Sequence, residues 1–164
     1  MKIIFQICLL GGFLFITTQF AYSCSCLRIS NKAEIKRTDM IFTGEVTEIT
    51  QNTTYIPPKI ENISPALQQR VNTRKRYLVK FKVEKGFKNI NGDEITLAQY
   101  EDEFSPCPGL LFTKGNKYLV YALQGKDEIS GGGICSRTQP FDEKSEDYKE
   151  LLQRRLKSKN KKLA

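Results

Sequence analysis

The sequence predicts a mainly β domain: a small five-stranded antiparallel barrel, with a short helix before it, a longer helix after it, and two disulfides. Three observations carry this. Short runs rich in β-branched and aromatic residues are separated by Gly, Pro and Asn turn signals. Helical spacing of apolar residues appears only near the end of the chain. An export signal precedes an even number of cysteines.

Residues 1–23 read as that signal. Lys2 is followed by an apolar run, Ile3 to Ile16, then by a polar stretch ending in Ala21-Tyr22-Ser23, small at the two positions a signal peptidase inspects. The run is too short to span a bilayer comfortably and lacks a basic stop-transfer flank, so no transmembrane segment is expected. Cleavage after Ser23 makes Cys24 the first mature residue and leaves Cys24, Cys26, Cys107 and Cys135, Cys8 departing with the signal. In an exported chain these four argue for two disulfides, in any of three pairings. A lipoprotein signal also cuts before a cysteine, but it favours Leu where Ala21 stands and a small residue where Tyr22 stands.

The elements follow in order. Ser30 or Asn31 caps a short helix, with Glu34 as capping-box partner to Asn31. "MIFTGEVTEI", residues 40–49, is a strand, bulged or bent at Gly44. Residues 50–75, with three prolines and little periodicity, are a long excursion holding one helical turn near Ala66 to Val71. "RYLVKFKVEKGFK", residues 76–88, places Tyr77, Val79, Phe81 and Val83 on a buried face. Asn91-Gly92 or Gly92-Asp93 turns into a third strand, "DEITLAQ". "KYLVYAL", residues 117–123, is the fourth, and a short fifth is expected around Ile134 to Arg137. Tyr148, Leu151, Leu152 and Leu156 form a helical stripe, capped by Asp142 or Ser145. A five-stranded Greek-key barrel of the OB type fits this count.

The chain is 164 residues long, has no histidine and carries a net charge of +8. Without histidine there is no Ser-His-Asp or Cys-His site, no zincin motif and no imidazole zinc ligand, so an enzyme is not expected and no cofactor is implied. The charge is local: residues 153–164, "QRRLKSKNKKLA", hold six bases and no acid. Such a block is a solvated flexible tail, 158–164, or an attachment point for an acidic surface such as anionic lipid or polysaccharide. The body lacks basic-aromatic interleaving, and no nucleic-acid partner is expected. "YEDEF", residues 100–104, lacks the spaced oxygens and glycine of a calcium loop. Asn52-Thr53-Thr54 is a glycosylation sequon if the host is a eukaryote.

The mature "CSC" terminus, the barrel, "CPGLLFTKGNKYLVYAL" and "GGGICSRT" together resemble the N-terminal, netrin-like domain of the tissue inhibitors of metalloproteinases. The compact single-domain bacterial relatives are most similar, and the resemblance runs from Cys24 to about Thr138. It implies the pairs Cys24–Cys107 and Cys26–Cys135 and one domain, 24–157, secreted to the extracellular space or periplasm as a monomer. It implies a partner as well, a secreted zinc metalloprotease. The α-amine and carbonyl of Cys24 would chelate the protease's catalytic zinc, taking the place of its water, while the sulfur is tied up in the disulfide. An α-amine, with a pKa of about 7.7–8.0, gives up its proton near neutral pH where a lysine would resist. Ser25 would enter the protease pocket, Cys26 and Leu27 would continue the substrate-like strand, and Phe104, Ser105, Pro106 and Pro108 beside Cys107 would form a second ridge.

The chain departs from the animal inhibitors in lacking a third disulfide and a second cysteine-rich domain. It has Pro108 where glycine is usual and "MIFTGEV" where a basic pattern is usual. Netrin-type domains that adhere without inhibiting share the barrel. A lipid-anchored envelope protein is a third reading, since acylation of Cys24 would consume both its sulfur and its amine.

Overall fold

A computed structural model describes residues 26, 29–52, 61–72, 75–101, 109–133 and 135–163. In chain order these form α1 (Asn31–Arg37), β1 (Met40–Gln51), α2 (Pro65–Asn72), β2 (Lys75–Lys88), β3 (Glu94–Glu101), β4 (Lys117–Gln124), β5 (Ile129–Gly131), β6 (Gln139–Pro140) and α3 (Glu146–Leu163).

The sheet runs β1-β2-β3-β5-β4-β6, and an additional β1–β4 pairing closes its first five strands into a barrel. Every pairing is antiparallel except β3–β5, which is parallel. Closure removes the sheet edges, which would otherwise offer unpaired backbone groups to other chains. Inward alternation fills the interior with Phe42, Val46, Val79, Phe81, Ile95, Leu97, Tyr118, Val120 and Ala122. Tyr77 and Val83 pack against that core, as the alternation of β2 predicts. Phe112, from the segment before β4, fills the remaining space, its backbone N–H donating to the Gln99 side chain at 3.2 Å.

β1 and β4 are buried on both faces where they pair, because α1 and α3 cover their outer side. Ile41, Leu119 and Tyr121 pack there against Tyr148 and Leu151 of α3, with Ile35, Phe87, Phe141 and Leu152 around them. Ser145 caps α3, its hydroxyl accepting from the Tyr148 N–H at 3.4 Å, whereas Asp142 accepts from Lys144 in the preceding turn. Leu156, expected in the buried stripe, is 60 % exposed, while Arg155 and Ser158 on either side of it line a cleft against β2. α3 continues to Leu163, so residues 158–163, expected as a flexible tail, are helical.

Gly44 sits at a register shift between β1 and β2, as its position in the strand predicts. A Cβ there would lie 2.7 Å from the Lys82 carbonyl oxygen. Gly44→Ala must part the two strands, and the expected cost is about 1–3 kcal/mol. A thermal melt checks this; an unchanged midpoint would mean that the contact relaxes freely.

Four further expectations are corrected. The fifth strand is Ile129–Gly131, upstream of Ile134 to Arg137. Glycines hide it: Gly131 lies under the Leu97 side chain, where a Cβ would approach to 3.0 Å, and Gly132 turns the chain away with φ +76. The turn before β3 spans residues 89–93, longer than a two-residue hairpin, with Asn89 and Gly92 at positive φ. Glu34 does not complete a capping box. Ser30 is the N-cap, accepting from the Ala33 N–H, while Glu34 is buried and held by Arg37 at 2.8 and 3.1 Å. In the excursion after β1, the expected single turn near Ala66 is the longer helix α2, beginning at Pro65.

Candidate functional site

Cys26 is bonded to Cys135, with Cα atoms 5.4 Å apart across a sequence separation of 109. This is one of the two expected disulfides. The other, Cys24–Cys107, lies outside the described residues, as do Ser25, Leu27, Phe104, Ser105, Pro106 and Pro108. Cys26 is therefore the one residue of the expected protease-binding set whose placement is described.

The surroundings of Cys26 are built from elements far apart in sequence. The chain leaves the disulfide, passes Ile29 and enters α1 at the Ser30 cap. Arg137, two residues after Cys135, lies on the same side of the fold. Its Nε and Nη2 donate to the two carboxylate oxygens of Asp147 at 2.9 and 2.5 Å, and its Nη1 donates to the Ile29 carbonyl at 3.4 Å. Asn31 Nδ2 donates to Glu150 at 2.8 Å, and Arg37 Nη2 donates to the Cys135 carbonyl at 3.3 Å. Ser136 and Thr138 bond each other and the backbone of Tyr121, fixing the segment to β4.

The electrostatics follow from this layout. The Asp147 side chain is 8 % exposed and its charge is answered by a forked guanidinium, which is how a buried carboxylate is tolerated. The hydrogen bond to Asp147 raises the Arg137 pKa, against a lowering by burial. The Tyr121 phenol is pushed up, chiefly by burial and next by the Asp147 charge, and stays protonated. Glu150 is lowered from 4.5, first by the hydrogen bond from Arg154 and then by that from Asn31.

The sign of that last shift makes a prediction. A depressed carboxyl stabilises the fold above its unfolded pKa and loses that contribution as pH falls through its folded value. Its side chain is about a third exposed, so the effect is well under 1 kcal/mol. Acid titration of stability should show a small loss beginning below about pH 4.5 that Glu150→Gln removes. An identical acid limb in the variant would show that Glu150 contributes nothing.

Among the described residues, no group of three or more His, Cys, Asp or Glu side chains is placed to hold a metal. Glu101 of the acidic "YEDEF" run accepts from Tyr77, and Tyr100 donates to Glu128, which Arg76 also grips at 2.7 Å. No helix among the described residues is long and apolar enough to cross a membrane. A cleft of about 350 Å³ lies between α1, β2 and α3, with Ile35, Ile41, Phe87 and Leu151 as its floor and Lys88, Arg154 and Arg155 around it. Lys88 is committed to the carbonyls of Ile35, Lys36 and Thr38 at the end of α1, where a cation suits the helix dipole.

Sequence reasoning missed Arg137, Asp147, Asn31 and Glu150. A basic residue two places after a cysteine was the available signal, but the acids of α3 are equally explained by its dipole. No family model matches the chain, and no curated protein matches its sequence.

Proposed function

We propose that the chain is a secreted inhibitor of zinc metalloproteases whose Cys24 amine and carbonyl chelate the target's catalytic zinc. The observation that carries the reading is the Cys26–Cys135 bond, which ties the chain two residues from the expected mature terminus to a closed barrel. It is the pairing the family resemblance implies, and it leaves Cys107 as the partner for Cys24 among the mature cysteines. A terminus tethered so closely loses little entropy on binding. The strand circuit β1-β2-β3-β5-β4-β1, with β3 and β5 parallel, supports the OB-type Greek-key assignment.

Adding one alanine before Cys24 tests this. The extension moves the α-amine off the chelating residue while leaving the barrel untouched. Inhibition of a panel of secreted zinc endopeptidases should fall by at least about a thousandfold, the loss of some 4 kcal/mol of metal coordination. Equal inhibition by the extended protein would refute the chelate. Intact mass, unreduced and reduced, must first show residues 24–164 without acyl chains, because acylation would block the same amine.

A second reading, a netrin-type module that attaches to an acidic matrix, draws on Arg154, Arg155 and Lys157, which follow the last acid of α3. Such attachment would survive the alanine extension and weaken with salt.

A further inference from the structure

A single disulfide fixes a point on the chain and leaves its direction free. In this fold the direction is set by further contacts. Arg137 reaches the Ile29 carbonyl, and Asn31 reaches Glu150 across a sequence separation of 119. Asp147, which holds Arg137, and Glu150 are three residues apart and share one face of α3. α3 is itself fixed, with Tyr148 and Leu151 buried against Ile41, Leu119 and Tyr121. The segment after Cys26 is thus tied at three successive places, Cys26, Ile29 and Asn31, to elements that cannot rotate independently.

The choice of side chain is informative. A lysine would neutralise Asp147. The guanidinium, with three nitrogens fixed in one plane, forks onto both carboxylate oxygens from Nε and Nη2 while Nη1 reaches a backbone carbonyl that a single lysine nitrogen seated on Asp147 would give up.

We infer that Arg137, held by Asp147, is a positioning residue, and that α3 is the strut that orients the N-terminal segment as it leaves the barrel. The consequence for inhibition rests on the reading above; the seating of the segment does not. Chelation requires a terminus held to within a fraction of an ångström, and orienting the segment in advance spares that cost on binding.

The test uses the mature chain and two variants. Arg137→Lys keeps a cation for Asp147 and gives up the bond to Ile29. Arg137→Met with Asp147→Leu removes the pair together, so that no charge is orphaned and the fold survives. Hydrogen exchange is measured over residues 26–31 with the disulfide intact, using the peptides of β1 and β4 as internal reference. Exchange over 26–31 should rise several-fold in both variants, with the strands unchanged. Against an endopeptidase that the wild type inhibits, the inhibition constant should weaken about tenfold through faster dissociation. The active fraction from tight-binding titration should stay constant, whereas a merely structural role would lower that fraction and spare the constant. Unchanged exchange in both variants overturns the seat. Raised exchange with an unchanged constant overturns the positioning role. If the wild type inhibits no zinc endopeptidase, the inhibitor reading fails, and the exchange data alone uphold or overturn the seat.

Discussion

Phe81→Ala lowers stability by about 3–5 kcal/mol, the range for emptying a fully buried aromatic site. Phe81 has no exposed surface and packs edge-on against three rings, with centroids 5.5 Å from Phe42, 5.0 Å from Phe112 and 6.4 Å from Tyr118. Each edge-to-face pair adds about 0.5–1.5 kcal/mol beyond burial. These rings come from β1, β2, β4 and the segment before β4, so the truncation loosens every wall of the barrel they join. Closed sheets relax poorly into a void, since moving one strand breaks two ladders of hydrogen bonds. The melting midpoint should drop by roughly 10–20 °C for a domain of this size. A drop under about 3 °C would show that the aromatic cluster is not the organising core.

Replacing Cys26 and Cys135 together by alanine is expected to cost about 2–5 kcal/mol. The bond closes a separation of 109 positions, and long loops gain most from closure in chain-entropy terms. Removing both sulfurs avoids a free thiol that could exchange with Cys24 or Cys107. Denaturant unfolding measures the loss through the midpoint at constant slope. Inhibition should fall further than stability, because under native conditions the barrel stays folded while the terminus loses its covalent anchor. Full inhibition by a folded double variant would show that Arg137 and Asn31 hold the segment without the disulfide.

The face of β2 was legible because its outer side is wet or half-wet. In β2 the alternation of Tyr77, Val79, Phe81 and Val83 against lysines and a glutamate declares the inner face. β4 was legible as a strand, although its five consecutive buried residues conceal which side faces the barrel. β5 was misplaced because its few residues are selected for absence of bulk: Gly131 exists to let Leu97 approach, and a glycine run reads as a turn. Ser30 as N-cap and Ser145 before α3 were legible because capping is a local exchange between a hydroxyl and an N–H three residues on.

The expected binding set rests on cysteine spacing and a resemblance. The seat around Cys26 had no comparable trace. Arg137 and Asp147 are ten positions apart, and Asn31 and Glu150 are separated by 119, so no window of sequence contains such a pair together with its purpose.

Strand alternation, turn residues, helix caps and the cysteine count are short-range matters. Each depends on the few residues beside it, and so the mainly β character and most of the element order could be expected before any coordinates, whereas the pairing Cys26–Cys135 was implied only by the family resemblance. Barrel closure by β1 and β4, the parallel step from β3 to β5, and the arrival of α3 beneath the N-terminal segment are long-range. They arise because the hydrophobic effect is non-directional: it requires the apolar faces of β1, β4 and α3 to be covered, without stating by what. Folding supplied the partner, and with it the acids of α3 that hold Arg137 and Asn31 in place.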